Sequence, residues 1–323
     1  MIQIEFADSD LARVRFGHSP MAEVVTSLYA LRRTAKFWMY DAWRTALLPR
    51  LREAAPRTLL AVTGGPGGYV PDFLTPLPVV ARPALAGELA EIAATPLDRV
   101  AMEVAAGWAG TEAPPEAGRF ATDPAGGLAE LVTDIRRYFA VAVAPHWPRL
   151  RAAVEAELAQ RAARAVEHGP RALVTDLHPG LSWDGSALRL ATVADRESSL
   201  DGHPLTLMPA GFSGPWVHTV MNAPDGRALW YPPHGLGRLW DQPVPAPSEA
   251  LAALLGPTRA AVLTLLAEPD STGGVAKALG LAPATASHHL TTLRDAGLVA
   301  ARRVGRRLCY ARTPLGQSLA AGA

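Results

Sequence analysis

The sequence predicts an α+β chain of two domains: an N-terminal one that is largely helical with a β-rich second half, and a small C-terminal one of short helices closed by a β-hairpin. Three observations carry this. Apolar residues recur at helical spacing as far as His168, and from Leu181 the period shifts towards two. The run DQPVPAPS at 241–248 reads as a stiff, proline-rich linker ending in a helix cap, which divides the chain into domains 1–246 and 247–323. Past Ser248 one Lys and seven Arg face four acidic residues, a balance of +4 that leaves −3 for the remainder of a +1 chain. A small basic module joined to a mildly acidic body is the charge footprint of a nucleic-acid reader with a separate partner domain.

In the first domain a strand at 2–6 precedes a helix at 20–33, whose apolar positions are Met21, Val24, Val25, Leu28 and Leu31. Further helices are expected at 41–53, 83–94, 97–107, 127–144 and 149–168, with Pro145 and Pro148 breaking or bending the chain between the last two. A hairpin follows at 181–183 and 187–191, turned by Asp184-Gly185. Strands at 205–209, 216–222 and 227–231 complete the β-rich half, the last pair joined by Pro224-Asp225-Gly226.

In the second domain Ser248 caps a short helix with Leu251, Leu254 and Leu255 on one face, ended by Gly256-Pro257. Thr258 then caps a helix striped with Ala261, Val262, Leu265 and Leu266, and Pro269 stops it. Ser271 caps a third, with Val275, Ala276 and Leu279 inward and Gly280 at its C-terminus. Pro283 opens a fourth that runs to about Ala296. Two short helices across Gly280-Leu281-Ala282 make a helix-turn-helix.

At 100° per residue, Ala286, Leu290 and Leu293 of the fourth helix face the core. Thr285, His288 and Thr292 lie on the opposite side, with Ser287 and His289 on its flanks. Small hydroxyls and imidazoles without an acidic side chain in the first two turns suit a major groove, where they can bond base edges and phosphates. For Ser287 and His289 a phosphate contact and a structural hydrogen bond both stay open. A solvated face of an ordinary helix is the alternative reading, and the next segment argues against it. Residues 299–304 and 307–312 read as strands around Gly305-Arg306, placing Arg302, Arg303, Arg306 and Arg307 in one hairpin. Such a basic wing can neutralise phosphates or enter a minor groove.

The runs LGPTRAAVLTLLAEP, LGLAPATASHHLTTLRDAGLV and RRVGRRLCYARTPLG together resemble the ArsR family of winged helix-turn-helix regulators, over about a fifth of the chain. The resemblance implies a homodimeric repressor on a palindromic operator, responsive to an effector. Carried onto this sequence it places recognition at Thr285, Ser287, His288 and His289 and the wing at 302–307. Ala282 and Ala284 stand where many members have serines, which removes a cap and a DNA contact. The cysteine pair of metal-sensing members is absent from STGGVAKALG, and the ending TPLGQSLAAGA is not their long Asp- and His-rich helix, so no metal and no cofactor is expected. Without that terminal helix, dimerisation falls to the N-terminal domain.

That domain resembles an uncharacterised domain found ahead of ArsR-type wings, through DLARVRFGHSP, GGYVPDFLTP, APHWPRLR and DLHPGLSWDG. It is expected to dimerise, to sense a small molecule, or both. Gly64-Gly65-Pro66-Gly67-Gly68 lacks the Gly-Lys-Ser/Thr ending of a phosphate loop and reads as a turn. His178, His203, His218 and His234 have no metal-ligand spacing. Trp183, Trp216, Trp230, Trp240 and Tyr231 read as core or as the lining of an apolar ligand pocket. No nucleophile or acid–base pair stands out, so no enzyme activity is expected; an enzyme or a protein-interaction platform with a DNA-binding tail is the alternative. Cys309 alone excludes a disulfide framework, and no apolar run of about eighteen residues or basic leader is seen, so a cytoplasmic protein is expected.

Overall fold

A computed structural model of the chain describes residues 1–7, 9–34, 36–192, 196–220, 226–240, 247–267, 269–304 and 307–321. The chain divides into two compact units, Met1–Trp240 and Asp241–Ala323. The first unit is mainly helical and then β-rich, and the second holds the helix-turn-helix, as the α+β reading requires.

The helical half of the first unit contains α1 (Pro20–Arg32), α2 (Asp41–Ala54), α3 (Arg57–Val62), α4 (Leu85–Ala93), α5 (Leu97–Gly107), α6 (Pro115–Gly118), α7 (Pro124–Tyr138) and α8 (Trp147–His168). Pro20 at the first position of α1 forfeits no hydrogen bond there, and the Ser19 hydroxyl accepts from Ala22 N at 2.9 Å. Two expectations change. The helix foreseen at 127–144 starts earlier, where Asp123 caps it through Gly126 N. It then loosens into a π turn, Phe139–Val143, and a 3₁₀ turn, Ala144–His146, that lead directly into α8. The prolines at 145 and 148 each fall in the first turn of a new segment, so they bend the chain without breaking it. The short α3 and α6 were not foreseen; α3 is too short for a periodic signal and is held from outside, the Asp134 carboxylate accepting from Thr58 N at 2.8 Å and Leu59 N at 3.3 Å.

The β-rich half builds two four-stranded sheets with help from the N-terminus. One has the order β3–β4–β1–β5, from β1 (Ile2–Glu5), β3 (Leu181–Trp183), β4 (Ala187–Leu190) and β5 (Arg196–Ser199). β1 runs antiparallel to β4 and parallel to β5. The other has the order β2–β6–β8–β7, from β2 (Arg15–Phe16), β6 (Leu205–Pro209), β7 (His218–Val220) and β8 (Arg227–Tyr231). β2, β6 and β8 are parallel, and β7 pairs antiparallel with β8. Every residue of β6 is buried, as a strand inside a sheet covered on both faces must be. The turn foreseen at 224–226 lies outside the described residues but for Gly226. A final helix, α9 (Leu236–Trp240), lays Trp240 against Phe212 and Tyr40.

In the second unit α10 (Glu249–Leu255) and α11 (Pro257–Leu265) precede β9 (Asp270–Ser271), α12 (Thr272–Ala278), α13 (Pro283–Asp295), β10 (Val299–Val304), β11 (Arg307–Arg312) and α14 (Pro314–Ala321). Ser248 caps α10 as foreseen, accepting from Leu251 N, but Leu254 is exposed instead of joining the core. α11 starts at Pro257, not at a Thr258 cap; of its expected stripe Val262 and Leu266 are buried, while Ala261 and Leu265 are half-buried and Ala260 and Leu263 take their place in the core. A separate core gathers Leu251, Leu263, Val275, Leu290, Leu293 and Val299 with their neighbours.

Candidate nucleic-acid interface

The two helices of the motif are terminated alike. Gly280 after α12 adopts φ +63°, and Leu281 N donates to Ala276 O at 2.8 Å. Gly297 after α13 adopts φ +74°, and Leu298 N donates to Leu293 O at 2.9 Å. Both are Schellman closures, in which a left-handed glycine turns the chain and satisfies an orphan carbonyl. α12 begins under the Ser271 hydroxyl, which accepts from Gly274 N at 3.2 Å.

On α13 the inward side is Ala286, Leu290 and Leu293, as the helical spacing demands. Thr285, Ser287 and His288 are exposed; His289 and Thr292 are half-buried. The Thr292 hydroxyl donates to His288 O at 3.0 Å, one turn back, so its proton is spent within the helix. The His288 and His289 rings stand 5.7 Å apart, and burial, with the neighbouring His288 and Arg259, lowers the His289 pKa below its ordinary value. Among the described residues no side chain caps the helix start at Ala282, which leaves the amides of its first turn open to an anion such as phosphate.

β10 and β11 pair antiparallel from Val299↔Arg312 to Val304↔Arg307. β9 adds a third strand through Cys309↔Ser271 and Tyr310↔Asp270, a pairing too short to read in sequence. Arg302 and Arg303 lie in β10 and Arg307 opens β11, while Arg306 lies outside the described residues. The last arginine of β11 turns inward. Arg312 donates to Leu263 O at 2.7 Å and to Thr264 O at 2.5 Å, holding the end of α11. Next to it the Thr313 hydroxyl donates to Gly297 O at 2.7 Å and accepts from Gly316 N at 3.1 Å. The wing's base and the end of α13 are therefore one hydrogen-bonded piece. Sequence reading missed both Arg312 and Thr313, since neither carries a pattern that sets it apart from other polar residues of a surface strand.

Residues 254–302 match a family model described as a helix-turn-helix domain. That match spans α11, β9, α12, α13 and the start of β10, the same segment that geometry singles out, and supports DNA binding by this unit. No curated protein and no solved structure matches the chain.

In the first unit the histidines are dispersed among structural partners. His178 Nδ1 accepts from Gly180 N at 2.9 Å and its Nε2 lies 3.0 Å from Pro215 O; His234 Nδ1 lies 2.6 Å from the buried Glu157. Among the described residues no group of three or more His, Cys, Asp or Glu is placed to hold a metal, and no helix is long and apolar enough to cross a membrane. The aromatics do not share one cavity: Trp230 and Tyr231 are buried, Trp183 packs edge-on to Phe6, and Trp216 is exposed beside Lys36. The glycine loop lies against α5, where a side chain at Gly65 would collide with Gly107 O, so packing explains it.

Proposed function

We propose that the chain is a transcriptional repressor of the ArsR type that binds a palindromic operator as a homodimer. The observation that carries this reading is the pairing of an exposed Thr285-Ser287-His288 face on α13 with an arginine-bearing β10–β11 hairpin hydrogen-bonded to the end of the same helix. The helix reads base edges, and Arg302, Arg303, Arg306 and Arg307 supply sequence-independent attraction to phosphates. The N-terminal unit dimerises and senses a small molecule that shifts the spacing of two recognition helices relative to the ~34 Å repeat of successive major grooves. A non-enzymatic role accords with His178, His218 and His234 engaging main-chain and carboxylate partners, and a cytoplasmic one with DNA as the partner of the helix-turn-helix.

Genomic footprinting, followed by fluorescence anisotropy on the recovered sites, tests it. Symmetric footprints with two half-sites are expected. Replacing the four wing arginines with alanine is expected to weaken all duplexes and to flatten the dependence of log affinity on log salt by up to ~0.9 for each phosphate no longer neutralised. An unchanged slope removes the wing from the interface.

A further inference from the structure

In the first unit a cleft of about 210 Å³ lies between the end of α1 and the glycine loop, lined by Tyr29, Arg32, Arg33, Thr63 and residues 65–68. No acidic residue lines it. Arg32 donates to Leu60 O and Thr63 Oγ1, at 2.8 Å each, and to Thr63 O, so its charge closes the end of α3. The Arg33 guanidinium is positioned but unused. Its carbon stands 5.1 Å from the centre of the Tyr29 ring, and its Nη2 lies where a Cβ at Gly68 would be. Its side chain makes no hydrogen bond, and neither arginine pairs with a carboxylate, among the described residues.

The loop supplies donors of its own. Gly68 N donates to Gly65 O at 3.0 Å, which closes residues 65–68 as a turn ending in Gly68 at φ +67°. The amides of Gly65 and Gly67 donate to no acceptor among the described residues. Successive amides of such a turn make an anion-binding concavity. Packing on α5 explains Gly65, and the approach of Arg33 explains Gly68. The lysine of a phosphate loop is missing from this run, but α1 brings two arginines to the same cleft. Two guanidiniums without a carboxylate, beside open amides, favour a dianionic oxyanion over a single carboxylate. The volume is below the ~300–1,000 Å³ of pockets for drug-sized ligands, so the body carrying that group is small.

We propose that this cleft binds the phosphate group of a small molecule, with the Arg33 fork and the glycine-turn amides as its donors. This names the ligand class for the sensing role above and, as a regulatory statement, rests on that reading.

The test uses the full chain, labelled with nitrogen-15, at constant ionic strength and pH ~8, where a phosphate group has lost its second proton. Inorganic phosphate and acetate are the probes. Phosphate is expected to shift one glycine amide saturably, the resonance missing from Gly67→Ala; a Cβ there meets nothing within 4 Å. Acetate should bind about tenfold more weakly. Arg33→Gln should cost phosphate about tenfold or more while leaving the melting temperature in place, because that side chain makes no hydrogen bond in the fold. No saturable shift, acetate binding as tightly as phosphate, or undiminished phosphate affinity in Arg33→Gln overturns the proposal. Anisotropy with DNA on the same samples separates it from the wider reading. A missing shift with intact DNA binding overturns the cleft alone. A shift that leaves DNA affinity unmoved upholds the cleft and overturns its part in sensing.

Discussion

At the scale of single residues, exposure and hydrogen bonding sort the polar side of α13 more finely than its spacing does. His288 is exposed and its ring has no hydrogen-bond partner among the described residues, whereas the Thr292 hydroxyl already donates to His288 O. His288→Ala is therefore expected to relax preference at particular base pairs, by about 1–3 kcal/mol per contacted pair, and Thr292→Ala to change DNA affinity little. Competition anisotropy across single-base variants of the site distinguishes the two; a uniform loss in His288→Ala would make it a backbone contact. In the other unit, Glu88 is buried at the start of α1, where Ser19 Oγ donates to it at 2.5 Å and Met21 N at 2.9 Å. Burial outweighs those donors and raises its pKa from 4.5 to about 7. A carboxyl with a higher pKa folded than unfolded binds its proton more tightly in the folded state. That contribution, on the order of a few kcal/mol, is fully present below pH ~4.5 and is lost as the pH rises through ~7. Thermal melts between pH 5 and 8 are expected to show the first unit losing stability with rising pH, and Glu88→Gln to flatten the trend; an equal slope in the variant would assign it to another group.

At the scale of elements, legibility followed length and local chemistry. Helices whose apolar stripe repeats over several turns, α1, α5 and α13, fall where the sequence puts them. So do strands flanked by turn residues, such as β3, β4 and β8. What escaped was structure made by distant partners: α3, whose amides are satisfied by a carboxylate on α7, and β9, which exists only because β11 pairs with it. The same division holds in the site. The recognition face was readable because one helix carries it, but the tie between wing and α13 through Thr313 joins positions 16 apart in sequence and left no trace there. The Schellman closures are the elements' most exacting local feature. A Cβ added at Gly297 meets nothing within 4 Å, so only its φ of +74° opposes a side chain. Gly297→Ala is expected to cost about 1 kcal/mol of stability in the second unit, measurable by denaturant melts of that unit, with DNA contacts otherwise retained. A loss several times larger would mean that the turn into the wing needs more than a left-handed residue.

At the scale of the whole molecule, the proposed homodimer needs a surface that supplies its two-fold symmetry. The second unit has its own core, in which Leu251 of α10 and Val299 of β10 meet the helices of the motif, so it has what a domain needs to fold by itself. Its last described helix, α14, has eight residues, about 12 Å of axis, and Leu315 on it is exposed. A helix that short offers little surface beside the ~800 Å² per partner of a standard interface, so the proposed homodimer is expected to form through the first unit. The fragment 247–323 is then expected to fold, to remain a monomer by light scattering, and to bind the same half-site. One monomer contacts half the phosphates of a dimer, so the slope of log affinity against log salt should fall to about half that of the full chain. Affinity should drop by orders of magnitude, because the second half-site no longer binds as an intramolecular event. A fragment that dimerises with an undiminished slope would move the symmetry axis into the helix-turn-helix unit and leave the first unit free to act as a sensor alone.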